Sequence, residues 1–136
     1  MWRDIERRAQ GYGFTANVPA PYPLQEFDLA NRVAVLARQE GWCESYVRGT
    51  YRCWFIDGHE AGSDVNLMRT LSEIGQDKSR VLELAGSPDV EAAYLNQTES
   101  AKRAGIFGSP SFIVDGELFW GDDRLEDAIT WARKDG

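Results

Sequence analysis

The sequence predicts an α/β chain that is helical over residues 1–104 and closes with one β-hairpin and a last helix. Three observations carry this. Apolar residues recur at helical spacing from Leu29 to Ala104, in runs each stopped by a glycine. Pro19, Pro21 and Pro23 alternate with Ala20 and Tyr22, which forbids helix there and sets an extended connector behind a short first helix. Asp115-Gly116 separates Ser111–Val114 from Glu117–Trp120, and a two-residue turn of this kind wants positive φ at both positions.

Taken in order, Trp2 to Gln10 is a charged helix stopped by Gly11 and Gly13. Leu29, Val33, Leu36 and Ala37 mark the next helix behind Asp28 as its cap, with Gly41 after it. Trp42 to Ile56 is aromatic-rich, and Cys43, Tyr46, Val47, Tyr51, Trp54 and Phe55 form its apolar positions. Ser63 caps a helix that turns Val65, Leu67, Met68, Leu71 and Ile74 inward. Asp77 caps a short one, with Val81, Leu82 and Leu84, ending at Gly86. Ser87-Pro88 is a cap followed by proline at the first helical position, opening a helix that runs to Ala104. After the hairpin, Asp123-Arg124-Leu125-Glu126 reads as a capping-box variant for a helix to Arg133 that buries Leu125, Ala128, Ile129 and Trp131.

Composition narrows the function. At 136 residues with 43% hydrophobic content, one domain with a real core is feasible. A net charge of −7 disfavours nucleic acid and anionic membrane surfaces as partners, and no apolar run reaches the roughly 18–20 residues of a membrane span. The N-terminus has no apolar h-region, so the expected location is cytoplasmic. Cys43 and Cys53, ten residues apart on one helix, stand roughly 15 Å from each other, beyond the reach of about 7 Å for a disulfide. His59 is the single histidine. The Asp57-Gly58-His59-Glu60 stretch with Ser63-Asp64 reads as a solvated loop, and no metal is expected.

The chemistry concentrates in the last third. A proline at the mouth of a strand, as in Ser109-Pro110, is where a cis bond would be placed. The backbone of Ser109 would then face outward for a peptide-like ligand; an ordinary trans strand-entry proline is the alternative. Asp122 and Asp123 lie between a strand end and a helix start. There helix N–H groups suit a carboxylate and an Asp side chain suits an ammonium group, and capping by Asp123 is compatible with that role. Phe112-Ile113-Val114 is a continuous apolar run, suited to a strand covered on both faces. A lone hairpin is marginal in water, so a helix, a second chain or further strands must cover its edge.

The stretch GIFGSPSFIVDGELFWGDDRL, from Gly105 to Leu125, closely resembles the C-terminal motif of the 2-hydroxychromene-2-carboxylate isomerases. These stand with kappa-class glutathione transferases in the DsbA-like branch of the thioredoxin fold. Met1-Trp2-Arg3-Asp4-Ile5-Glu6-Arg7 is similar to that family's first insertion helix, and the turn from Trp54 to Val65 to its counterpart. The resemblance implies a thioredoxin-like fold with a large helical insertion. Residues 1–104 would form the insertion bundle and residues 105–136 the C-terminal thioredoxin-like half, together one compact unit. It implies glutathione as cofactor, with Pro110 as the cis-proline, Ser109 backbone pairing with the cysteinyl part, and Asp122 and Asp123 at the γ-glutamyl end. The family commonly has Ser or Asn where Asp122 stands, so Asp123 is the stronger of the two. The implied reaction isomerises a small aromatic carboxylate, a chromene carboxylate, in aromatic breakdown, with a serine near the first strand activating the thiol of glutathione. Trp54 and Phe55 are the aromatic residues offered to that substrate.

The family's serine lies in a strand-loop-helix that has no counterpart in residues 1–136, and Ser45, Ser63 and Ser72 fall on or at helices. The expectation is therefore a C-terminal portion of such an enzyme, with no catalytic residue of its own and no turnover by itself. Two alternatives stand beside it. One is a non-enzymatic interaction module that forms a homodimer through the hairpin edge. The other is a DsbA-like disulfide oxidoreductase, which needs a reactive cysteine near Pro110.

Overall fold

In a computed structural model of the chain, residues 1–133 are described, and the chain divides into two compact units after Tyr94. Residues 134–136 of the predicted C-terminal half lie outside the described residues. Unit 1 holds α1 (Trp2–Gly11), α2 (Phe27–Glu40), α3 (Cys43–Phe55), α4 (Asp64–Glu73), α5 (Lys78–Ala85) and the start of α6 (Pro88–Arg103). Unit 2 holds the rest of α6, β1 (Ser111–Val114), β2 (Glu117–Trp120), a 3₁₀ turn Asp122–Arg124, and α7 (Leu125–Ala132). The predicted mostly helical α/β class, with one hairpin, is what forms.

Local chemistry sets the starts of three helices, α4, α5 and α6. The Ser63 hydroxyl accepts from the N–H of Asn66 at 3.3 Å, the Asp77 carboxylate from that of Arg80 at 2.7 Å, and the Ser87 hydroxyl from that of Val90 at 3.3 Å. Asp28 is a correction: α2 starts at Phe27, two residues before the Leu29 that a cap at Asp28 implies, and Asp28 lies in its first turn without capping it. Its carboxylate instead accepts from the Tyr94 hydroxyl at 3.1 Å, which draws it away from the helix end. The capping box at Asp123 is a second correction. The N–H of Arg124 donates to the Gly121 carbonyl at 3.1 Å, closing a 3₁₀ turn, and α7 begins at Leu125 with no side-chain cap.

The core of unit 1 gathers Val33, Leu36 and Ala37 from α2, Tyr46 from α3, Leu67 and Leu71 from α4, Val81 and Ala85 from α5, and Val90 from α6. Three helices present different faces from those predicted. Gly49 lets α3 approach α4 closely; a Cβ there would lie 2.8 Å from the Thr70 methyl. The face of α3 that meets the core is therefore Tyr46, Thr50 and Cys53, while Val47 is exposed and Tyr51 is 52% exposed. On α4 the buried stripe is Asn66, Leu67, Thr70 and Leu71, because the side chain of Asn66 bonds inward, and Val65 and Met68 turn to solvent. In α7 Ala128 is buried, whereas Ile129 and Trp131 are exposed. The proline connector is tied down as well. Trp54 Nε1 donates to the Pro21 carbonyl at 2.8 Å and the N–H of Asn17 to the Phe55 carbonyl at 2.6 Å.

Tyr46 gives the core a pH signature. Its hydroxyl donates to the Ala30 carbonyl at 3.0 Å, and burial pushes its pKa up to about 12. The unfolded chain ionises this tyrosine near pH 10 and the folded chain does not, so the unfolded state holds fewer protons and stability falls as pH rises from about 10 to 12. The expected loss across that window is about 2–3 kcal/mol. Urea titrations at several alkaline pH values measure it, and Tyr46→Phe removes this contribution to the slope while lowering neutral-pH stability by about 1 kcal/mol.

Candidate functional site

The hairpin of unit 2 carries the predicted site residues. Asp115 has φ +49° and Gly116 φ +85°, the two positive values that a two-residue turn requires. That turn sets the register Val114↔Glu117, Ile113↔Leu118, Phe112↔Phe119 and Ser111↔Trp120. One further bond extends the ladder: the N–H of Gly121 donates to the Pro110 carbonyl at 2.9 Å. Ser109-Pro110 and Asp122-Asp123 thus flank the same hydrogen bond at one end of the hairpin. In sequence these pairs stand thirteen positions apart, and the register brings them together.

The peptide bond between Ser109 and Pro110 is cis, so the trans alternative does not hold. Ser109, Pro110 and Asp123 are exposed and Asp122 is half-buried. The Ser111 hydroxyl donates to the Gly108 carbonyl at 2.6 Å, which holds the loop entering β1. The indole of Trp120 lies over the same loop. A Cβ on Gly108 would stand 2.3 Å from its Nε1, and the ring of Phe107 is centred 5.0 Å from it. In an antiparallel pair, backbone groups alternate between the partner strand and the outside. Because Pro110 pairs with Gly121, Phe112 and Val114 aim their backbone groups at β2, and Ser111 and Ile113 aim theirs away from it. Among the described residues no strand pairs with that edge.

Across the turn, the Arg124 guanidinium donates to Asp127 at 3.0 Å and feels the nearby charge of Asp123; these carboxylates hold it above its ordinary pKa. Arg124 is therefore committed within its own turn. Asp123 crowds Gly121, where a Cβ would come 2.6 Å from its Oδ1, and the φ of +114° at Gly121 makes room for that carboxylate.

Trp54 and Phe55 lie in unit 1, on consecutive positions near the end of α3, with ring centres 4.6 Å apart. Phe55 lines a cavity of about 630 Å³ and Trp54 a smaller one of about 240 Å³. Tyr51 lines both, a role the sequence reading missed because its spacing matched a core stripe. Both cysteines are free thiols. Burial, and then the charge of Asp57, push the Cys53 thiol above its ordinary value, which makes it a poor thiolate nucleophile. Among the described residues no three His, Cys, Asp or Glu side chains converge as a metal site, and no helix is long and apolar enough to cross a membrane.

Comparison with known proteins places this geometry. Residues 1–129 match the DSBA-like thioredoxin domain family. A 2-hydroxychromene-2-carboxylate isomerase of Sphingobium xenophagum is 31% identical over 127 residues, covering 93% of this chain and 63% of that protein. The protein of the same name from Pseudomonas putida is 26% identical over 124 residues, covering 90% of this chain and 59% of its own length. A solved structure of a 2-hydroxychromene-2-carboxylate isomerase superposes with a TM-score of 0.78 at 22% identity, covering 97% of this chain and 64% of that one. The chain thus spans roughly three-fifths of the length of the curated relatives it matches.

Proposed function

Since the chain belongs to the DSBA-like thioredoxin domain family, we propose that it works in a glutathione-dependent isomerase of the 2-hydroxychromene-2-carboxylate type, supplying part of the glutathione site. The observation that carries this is the Gly121–Pro110 hydrogen bond, which sets an exposed peptide edge and an exposed carboxylate at one end of one hairpin. A tripeptide with an ammonium group at one end matches that pairing. The N–H and C=O of Ser109 take its cysteinyl backbone as a strand would, and Pro110 shapes the approach. Asp123 takes the ammonium group; a carboxylate at Asp122 favours that group as well but crowds the ligand's own carboxylate, so Asp123 is the main contact. Glutathione, when bound, supplies a thiol nucleophile.

In this reading residues 1–136 bind glutathione and do not turn substrate over by themselves. Three serines of unit 1 serve helices instead: Ser63 caps α4, and Ser45 and Ser72 lie within α3 and α4. Trp54 and Phe55 are the aromatic surfaces assigned to a small aromatic carboxylate substrate. The oxidoreductase alternative has little support, because Cys43 and Cys53 both lie in unit 1, away in sequence from Pro110, and Cys53 is held protonated. The outward edge of β1, with Ile113 exposed, is the one feature that favours a homodimer paired through that strand.

A titration with reduced glutathione, followed by backbone amide NMR, tests the proposal. The expected result is saturable shifts at Ser109, Ser111, Asp123 and Arg124, with binding weakened about tenfold by Asp123→Ala, a loss of about 1.4 kcal/mol. Silence at those amides at millimolar glutathione, together with a mass that rises with protein concentration, would overturn it in favour of edge pairing.

A further inference from the structure

The geometry points to Ser111 as a positioning residue, whose hydroxyl sets the direction in which the backbone N–H of Ser109 meets a ligand. The glutathione reading enters only as the identity of that ligand; the aim of the N–H does not rest on it.

The peptide between Gly108 and Ser109 is trans and planar, so its C=O and its N–H point in opposite directions. Whatever fixes the Gly108 carbonyl therefore fixes the Ser109 N–H. The Ser111 hydroxyl donates to that carbonyl at 2.6 Å, reaching back over Pro110, which has no N–H of its own to offer. The carbonyl is thus held toward Ser111, and the Ser109 N–H is turned the other way, at a residue that is exposed. Ser111 itself is half-buried, which partly shields its bond from water.

Without that bond this peptide unit would be free to turn. Glycine samples more backbone conformations than any other residue, and rotation about the bonds flanking the unit exchanges its C=O and N–H. The turned unit would present an acceptor where a ligand carbonyl needs a donor. Gly108 does not use a positive φ; its missing side chain makes room for Trp120, whose Nε1 would stand 2.3 Å from a Cβ there. Trp120 lies directly opposite Ser111 in the hairpin register. Their backbones do not bond each other, and in pairs of that kind the Cα atoms approach to about 4.5 Å with both side chains on one face. One cross-strand pair therefore holds Gly108 twice, by a hydroxyl on its carbonyl and an indole against its Cα.

The test needs no turnover. Order parameters and residual dipolar couplings of the backbone amides are measured in the unaltered protein, Ser111→Ala and Ser111→Thr, first without ligand. The Ser109 N–H of the unaltered protein is expected at an order parameter of about 0.85, that of rigid backbone. Ser111→Ala should drop it below about 0.6 and shrink its dipolar coupling, while Ser111→Thr, which keeps a hydroxyl, preserves both. The Gly121 amide, bonded to the Pro110 carbonyl, should be the same in all three, because the hairpin end stays paired.

Reduced glutathione is then added. Ser111→Ala should bind it about tenfold more weakly, and Ser111→Thr within about twofold of the unaltered protein. At saturation Ser111→Ala should lose the shift at Ser109 and keep those at Asp123 and Arg124. A Ser109 N–H that stays rigid and unturned in Ser111→Ala would overturn the positioning role, whether or not glutathione binds. A changed Gly121 amide, or loss of the Asp123 and Arg124 shifts along with that of Ser109, would overturn it in favour of general support of the hairpin. Absence of glutathione shifts in the unaltered protein would overturn the glutathione reading alone, since the measurements without ligand still decide the role of Ser111.

Discussion

Gly62→Ala is expected to lower the stability of the protein by about 3 kcal/mol, more than most single substitutions do. Two effects add. Gly62 has φ +84°, a left-handed conformation that costs a residue with a Cβ about 1–2 kcal/mol. The Cβ would also stand 2.4 Å from the Glu26 backbone carbonyl oxygen, and backbone cannot swing aside as a flexible side chain does. This contact joins the loop before α4 to the residue before α2, so relief would have to shift one of them. Gly41 is the control: it has the same φ of +84° with nothing within 4 Å of the added atom. Gly41→Ala should lose only about 1 kcal/mol, the conformational part alone. Urea midpoints of the two variants separate the effects, and equal losses would show that the close approach carries no energy.

Asn66→Asp is expected to lose a similar amount, about 3–4 kcal/mol at neutral pH, with a pH dependence that Asn66→Leu lacks. Asn66 is fully buried on α4. Its amide donates to the Thr50 carbonyl of α3 at 3.0 Å and to the His59 carbonyl at 2.9 Å, and its oxygen accepts from the Thr70 hydroxyl at 3.3 Å. One side chain therefore holds α3, α4 and the loop between them. A carboxylate there would face two carbonyl oxygens, so the folded state would keep it protonated and its pKa would rise. The unfolded chain would release that proton near pH 4 and the folded chain would not, so stability would fall as pH rises above about 4. Asn66→Leu removes the same donors without a titrating group. Its loss, about 2–4 kcal/mol, should be equal at pH 4 and pH 7. Denaturant titrations of both variants at those two pH values check the sign.

Asn66 also marks where pattern reading stops. By spacing, Val65 and Met68 group with Leu67 and Leu71, and the pattern gives no reason to turn Asn66 inward. Only the positions of the Thr50 and His59 carbonyls make Asn66 the residue that turns inward, and neither is near it in sequence. Tyr51 and Phe55 show the same limit on α3. Their periodicity is that of a core stripe, yet the close approach at Gly49 rotates them onto the wall of a cavity.

The sequence by itself determined the helices, most of their caps, the hairpin and the family. Each of these depends on residues within a few positions of one another. Ser63 bonds the third N–H along, Asp115-Gly116 supplies two positive φ values, and the motif from Gly105 to Leu125 is contiguous. The tertiary structure decided which face of α3 and α4 is buried, that Asp28 serves Tyr94 in place of a cap, and that Ser109-Pro110 and Asp122-Asp123 share one end of the hairpin. The physical reason is the range of the interactions. A cap or a turn is satisfied by its own backbone, whereas burial and partnership depend on what another segment brings to the same place.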